Sequence, residues 1–147
     1  MKEITVQIKR LSPTAVLPSR GSAQAAGYDL CADLEKDLII PPHETRMVHT
    51  GLAAAIPDGY FGAVFARSGL AARESLRPAN CVGVCDSDYR GEYMVAIHND
   101  SEESRTIVPG ERIAQLVVLP YLPVFFEEVS VLPETARGAG GFGSTGK

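Results

Sequence analysis

The 147-residue chain reads as an all-β domain, a sandwich or barrel of short strands, on three observations. Its apolar runs are short and mostly alternate with polar residues, the period of a half-buried strand. Turn signals built from proline, glycine, asparagine and aspartate separate those runs. Helical character is confined to one brief stretch, so the strands have no helices to cover a parallel sheet and must pack on one another.

From the N-terminus, Ile4, Val6 and Ile8 alternate with Thr5, Gln7 and Lys9, which predicts the first strand. AGYDLCA (26–32) predicts another, and Pro41-Pro42 marks a break. LAAAI (52–56) and YFGAVF (60–65) are joined by Pro57-Asp58-Gly59, where proline presets one dihedral and glycine accepts a positive one. GLAARESL (69–76), just after Ser68, predicts the short helix. Val82 and Val84 lie in an apolar run, Asp86-Ser87-Asp88 reads as a turn, and EYMVAIHN (92–99) follows, so a β-hairpin is expected there. After breaks at Asn99-Asp100-Ser101 and Pro109-Gly110, RIAQLVVLP (112–120) has the β-branched and apolar residues that suit a pleated surface. A single domain is expected over residues 1–133, with enough chain to bury a core. From Glu134 the composition changes: five glycines among the last eleven residues leave too little apolar surface to offset chain entropy, which predicts a flexible arm over 134–147.

Charged residues make up 22% of the chain and the net charge is −4, which excludes the broad basic surface of a nucleic-acid binder but not a few placed arginines. The longest apolar stretch, Leu116 to Phe126, is interrupted by Pro120 and Pro123 and is too short to span a bilayer, so no membrane is expected. MKEITVQIKR lacks the apolar run of a signal peptide, and Cys31, Cys81 and Cys85 form an odd set without paired spacing. A reduced, cytoplasmic protein is therefore expected, with the cysteines structural because His43, His49 and His98 are too scattered to complete a zinc site.

Several segments carry residues suited to chemistry. In NCVGVCDSDYRGEYMV (80–95), Asp86 and Asp88 read first as turn formers, yet a carboxylate at the mouth of a hairpin also suits a general base. In ARSGLAAR (66–73), Arg67 offers a planar fork for phosphate oxygens and Ser68 with Gly69 opens the helix; a surface arginine with a capping serine is the plainer reading. Asp29 sits between apolar neighbours and needs a partner if buried, and Gln115 lies inside an apolar strand, where a satisfied core amide explains it equally well. RGAGGFGSTGK (137–147) matches both Gly138-x-Gly140-x-x-Gly143 and Gly141-x-x-x-x-Gly146-Lys147. Both phosphate-binding patterns need a strand before them and a helix after them, and neither is expected here.

Taken together and in this order, AGYDLCA, ARSGLAA, GVCDSDYRGE, GERIAQLVV and RGAGGFGSTG resemble the five motifs of the trimeric dUTPase family, from about Ala26 to Gly146. The resemblance implies a jelly-roll-like β subunit, a homotrimer with shared active sites, and Mg2+-dependent hydrolysis of dUTP to dUMP and pyrophosphate. That activity would lower dUTP and supply dUMP for dTMP synthesis. By family pattern Asp86 is the base that deprotonates the attacking water. Asn80, with the backbone of Gly83, Val84, Cys85 and Met94, would read uracil, and Tyr89 would pack beneath the deoxyribose. Arg67, Ser68 and Gly69 of a neighbouring subunit would hold phosphates together with Gln115, while Asp29 would hold waters of the metal shell. In the arm, Phe142 would stack over the base and Arg137, Gly143 and Ser144 would cover the phosphates. Ala66 stands where the family often has proline, and Cys85 where it usually has an aliphatic residue; neither removes a polar group from the pattern. A dCTP deaminase of related fold would need a catalytic glutamate and a second serine after the arginine, where this chain has Gly69. A binding module without catalysis is the other alternative, and intact motifs speak against it.

Overall fold

A computed structural model describes residues 3–141. Among them are eleven strands and one helix: β1 (Gln7–Arg10), β2 (Tyr28–Cys31), β3 (Leu38–Ile40), β4 (Thr45–Val48), β5 (Leu52–Ala55), β6 (Tyr60–Phe65), α1 (Ser68–Glu74), β7 (Leu76–Pro78), β8 (Val82–Cys85), β9 (Val95–Asn99), β10 (Arg105–Ile107) and β11 (Arg112–Pro120). They form one four-stranded sheet in the order β2-β11-β6-β8, one three-stranded sheet in the order β4-β9-β7, and the pairs β1-β5 and β3-β10. Every pairing is antiparallel. The fold is thus an all-β, jelly-roll-like arrangement with open sheets, and no closed barrel occurs among the described residues.

Period-two patterning puts one face of each sheet into a single core. Leu30 on β2, Ile113 and Leu116 on β11, Val48 on β4, Ile97 on β9, Ile40 on β3, Ile107 on β10 and Leu52 on β5 are all buried in it. Each such side chain stabilises the fold by roughly 1.5–3 kcal/mol through removal of apolar surface from water. Asn99 closes the inward row of β9: its buried amide donates to the carbonyls of Ile40 at 3.0 Å and Glu103 at 2.7 Å, and its oxygen accepts the Ser101 N–H at 2.9 Å. The break expected at Asn99-Asp100-Ser101 is therefore a polar staple as well as a turn. Helix α1 is anchored by Leu70 and ends at Ser75, whose left-handed backbone (φ 55) returns its N–H to the Leu70 carbonyl.

Two sequence expectations are corrected. The first strand lies at Gln7–Arg10, later than the Ile4–Lys9 alternation suggests, because its ladder to β5 runs from Gln7 opposite Ala55 to Arg10 opposite Leu52. The expected hairpin across Asp86 does not form a ladder: β8 pairs with β6, while β9 pairs with β4 and β7. The chain crosses between two sheets at Asp86–Met94, and a cavity opens where the hairpin's hydrogen bonds were expected.

Candidate active site

That cavity, of about 330 Å³, is bounded by β8 and Asp86 on one side and by Tyr93, Met94 and β9 on the other. β8 is the edge strand of its sheet, so its backbone groups on the cavity side have no ladder partner. Opposite, β7 reaches only Ile97–Asn99 of β9, and one further bond joins the Ala79 N–H to the Ala96 carbonyl at 2.7 Å. On the β7 side Met94 and Val95 thus face the gap without a strand beside them, while β4 pairs Val95 on the other side. Two open backbone edges across a flat cavity can address the rim of a planar heterocycle with both donors and acceptors. Asn80 stands at the entrance, where the chain turns from β7 into β8 through Cys81, a non-glycine residue with φ 62. A Cβ on Gly83 would crowd Val64 at 3.3 Å and would meet the Asn80 amide nitrogen at an ordinary 3.5 Å. Val84 and Cys85 follow on β8, and burial pushes the Cys85 thiol up from its ordinary pKa, helped by the charge of Asp86.

Asp86 is exposed at the mouth of the cavity. Its backbone carbonyl accepts the Tyr89 N–H at 3.1 Å, and Arg90 Nη1 donates to the Ser87 carbonyl at 2.7 Å. Those main-chain acceptors close the turn, so the Asp86 carboxylate is not consumed by it and has no hydrogen bond or ion pair with the described residues.

Sequence reasoning missed Gly91, Glu92 and Tyr93, which hold the next part of the wall around Tyr89. Tyr89 is 43% exposed and its hydroxyl donates to the Glu92 carbonyl at 3.0 Å. Gly91 permits this, since a Cβ there would overlap the Tyr89 ring and hydroxyl. Tyr93, 4% exposed, stacks on Tyr89 with ring centroids 6.0 Å apart and planes 20° apart. Glu92 ties the segment to the loop before β5: its carboxylate accepts the Gly51 N–H at 2.8 Å and meets His49 Nδ1 at 2.9 Å. Burial raises the Glu92 carboxyl, but the hydrogen bonds from His49 and the loop backbone outweigh it and hold the group below the usual carboxylate range. The short spacing Tyr-x-Gly-Glu-Tyr was the available signal, since a glycine between two tyrosines implies a close approach.

A second group gathers where β2, β11 and the segment after β6 meet, around a cavity of about 230 Å³ lined by Asp29, Arg67, Ser68, Gly69, Arg112 and Gln115 among others. Asp29 lies directly across the β2–β11 ladder from Gln115, next to an irregularity between Arg112 and Ala114. Its two oxygens accept from Arg67 Nε at 2.9 Å and Arg112 Nη1 at 3.2 Å. These ion pairs are partly shielded, with the Asp29 side chain 15% exposed and that of Arg67 25%, and Arg67 Nη1 also donates to the Arg112 carbonyl at 3.3 Å, so Arg67 is held in one orientation. Gln115 donates to the Ala66 carbonyl at 2.9 Å, and its oxygen occupies the space a Cβ on Gly27 would need. The open cavity beside it means Gln115 is not a fully enclosed core amide.

The two groups are not brought together within one chain. The cavity at Asp86 contains none of the second group and the cavity at Arg67 none of the first. Asp29 is on β2, three strands from β8, while Arg67, Ser68 and Gly69 follow Phe65, which pairs with Val82 at the end of β8 away from Asp86. Among the described residues Arg137 makes a local bond, Nε to the Gly140 carbonyl at 2.8 Å, and Phe142, Gly143 and Ser144 lie outside the described residues. After β11 the chain runs exposed, with Leu122, Phe125 and Phe126 each at least 85% accessible. No described helix is long and apolar enough to cross a membrane.

A sequence model of the dUTPase family matches residues 14–146. The chain is 45% identical over 99% of both lengths to the deoxyuridine 5'-triphosphate nucleotidohydrolase of Syntrophotalea carbinolica. It is 47% identical to that of Wolinella succinogenes, over 100% of this chain and 97% of the relative. Among solved structures it is similar to the Staphylococcus bacteriophage 80alpha dUTPase G164S mutant with dUpNHpp, with a TM-score of 0.89 and 30% identity, covering 97% of this chain and 99% of the other.

Proposed function

The chain belongs to the dUTPase family and hydrolyses dUTP, and we propose that it does so by water attack on the α-phosphate with Asp86 as general base, releasing dUMP and pyrophosphate. The observation that carries this reading is the free Asp86 carboxylate at the mouth of a cavity with two open backbone edges. Uracil lies between those edges, read by the backbone of Gly83, Val84, Cys85 and Met94 and by Asn80. Tyr89 lies beneath the deoxyribose. Asp86 orients the water and accepts its proton, a contribution of ~10²–10⁴-fold.

Arg67, Ser68, Gly69 and Gln115 hold the phosphates of a nucleotide bound at a neighbouring copy, in a homotrimer with shared sites. The separation of the two groups supports this, as does the exposed apolar run after β11, which finds cover on another subunit. The arm, through Arg137, Phe142, Gly143 and Ser144, closes over base and phosphates and excludes water. Among the described residues no three His, Cys, Asp or Glu side chains gather as a metal site, which fits a Mg2+ ion carried mainly by the substrate phosphates. Asp29 fits an outer-sphere role, because two arginines use one position on each oxygen and leave the others free for water. When bound, the ion neutralises charge developing on the phosphates. Three unpaired cysteines support a reducing cytoplasmic setting, where the reaction lowers dUTP and supplies dUMP for dTMP synthesis.

Hydrolysis of dUTP with Mg2+ in 18O-labelled water tests the reaction. The label is expected in dUMP; label in pyrophosphate instead places the attack on another phosphorus and contradicts the proposal.

A further inference from the structure

We propose that Tyr93 is a positioning residue for sugar recognition: its ring is the platform that fixes Tyr89 against the deoxyribose, and so it sets how strongly a ribonucleotide is rejected. The inference rests on the reading of Tyr89 as the ring beneath the sugar. Tyr93 belongs to the core and Tyr89 does not, at 4% and 43% exposure, and the exposed ring lies on the buried one at 6.0 Å and 20°. The platform is itself fixed, since the Tyr93 N–H donates to the Leu52 carbonyl at 2.8 Å and its carbonyl accepts Thr50 Oγ1 at 2.6 Å.

Besides lying against Gly91, Tyr89 has one side-chain hydrogen bond among the described residues, from its hydroxyl to the Glu92 carbonyl. A single bond at the tip leaves the ring free to pivot about that point, and support under its face removes the freedom. Selection against a 2′-hydroxyl is a steric decision over about an ångström, a displacement that changes rates strongly when a site is preorganised. The Tyr93 hydroxyl is buried and has no hydrogen-bond partner among the described residues. What Tyr93 gives its neighbour is therefore the face of a ring and not a hydrogen bond. Phenylalanine would serve in its place, and an aliphatic side chain, which cannot present a flat face, would not.

The test measures kcat/KM for dUTP and for UTP, with Mg2+, on the full chain as wild type, Tyr89→Ala, Tyr93→Phe and Tyr93→Leu. The ratio of the two constants within one preparation does not depend on the folded fraction, so a destabilised Tyr93→Leu still reports. Tyr93→Phe is expected to keep the wild-type ratio within about twofold and Tyr93→Leu to lower it by about tenfold or more, chiefly through a gain on UTP. An unchanged ratio in Tyr93→Leu while Tyr89→Ala lowers it overturns the role of Tyr93 alone. A ratio that survives Tyr89→Ala overturns the reading of Tyr89 beneath it. A Tyr93→Phe as defective as Tyr93→Leu moves the function to the hydroxyl and overturns the platform.

Discussion

Asp86 carries a carboxylate that the turn around it does not use, and this distinguishes a base from a turn former. Replacing it with asparagine keeps the shape and removes the proton acceptor. Asp86→Asn is expected to bind a dUTP analogue with nearly unchanged affinity and to lose ~10²–10⁴-fold in kcat. Calorimetry and steady-state kinetics on one preparation check both halves, and near-normal turnover refutes the assignment. The chemical identity of Asp86, Arg67 and Tyr89 was legible in the sequence through their motifs. Their supports were not. Gly27 and Gly91 are needed because Gln115 and Tyr89 fill the space of their missing side chains, and such contacts join residues whose proximity no spacing encodes. Tyr93 was read only as part of a strand, since its place under Tyr89 depends on how the chain crosses between sheets.

Strand content was readable from period-two patterning, but strand partners were not. β8 and the run into β9 have the pattern of a hairpin, and each instead finds its ladder in a different sheet, β8 on β6 and β9 on β4. The cavity is the consequence, and the connection across it is held by Glu92. Its carboxyl has a lowered folded pKa, so its contribution to stability is present above the ordinary value of about 4.3 and is lost as pH falls through the lower folded value. Thermal unfolding from pH 7 to pH 3 should show wild type more stable than Glu92→Gln at neutral pH and the difference shrinking in acid. Asp33, held low by the hydroxyls of Ser12 and Thr14, titrates in both proteins and cancels from the difference. A gap that is constant with pH removes the clamp from the account.

The fold as an assembled unit explains why half of the site was legible only as motifs. The groups around Asp86 and around Arg67 line separate cavities, and no pattern within a single chain states that they act on one substrate. The glycine-rich arm from Glu134 and the exposed apolar run that precedes it serve different ends in this account, catalysis and assembly. Truncation after Glu134 is expected to leave the number of chains per particle, read by sedimentation equilibrium, unchanged and to depress kcat/KM by about tenfold or more; full activity without the arm contradicts its closing role. The most direct measurement mixes two inactive variants, Asp86→Asn and Arg67→Gln, by co-refolding at equal amounts and then assays dUTP hydrolysis. Sites shared between subunits pair an intact Asp86 with an intact neighbouring Arg67 at random, so activity is expected to return to about a quarter of wild type. Activity that stays at the sum of the separate variants would show each site to be complete within one chain and contradict the account.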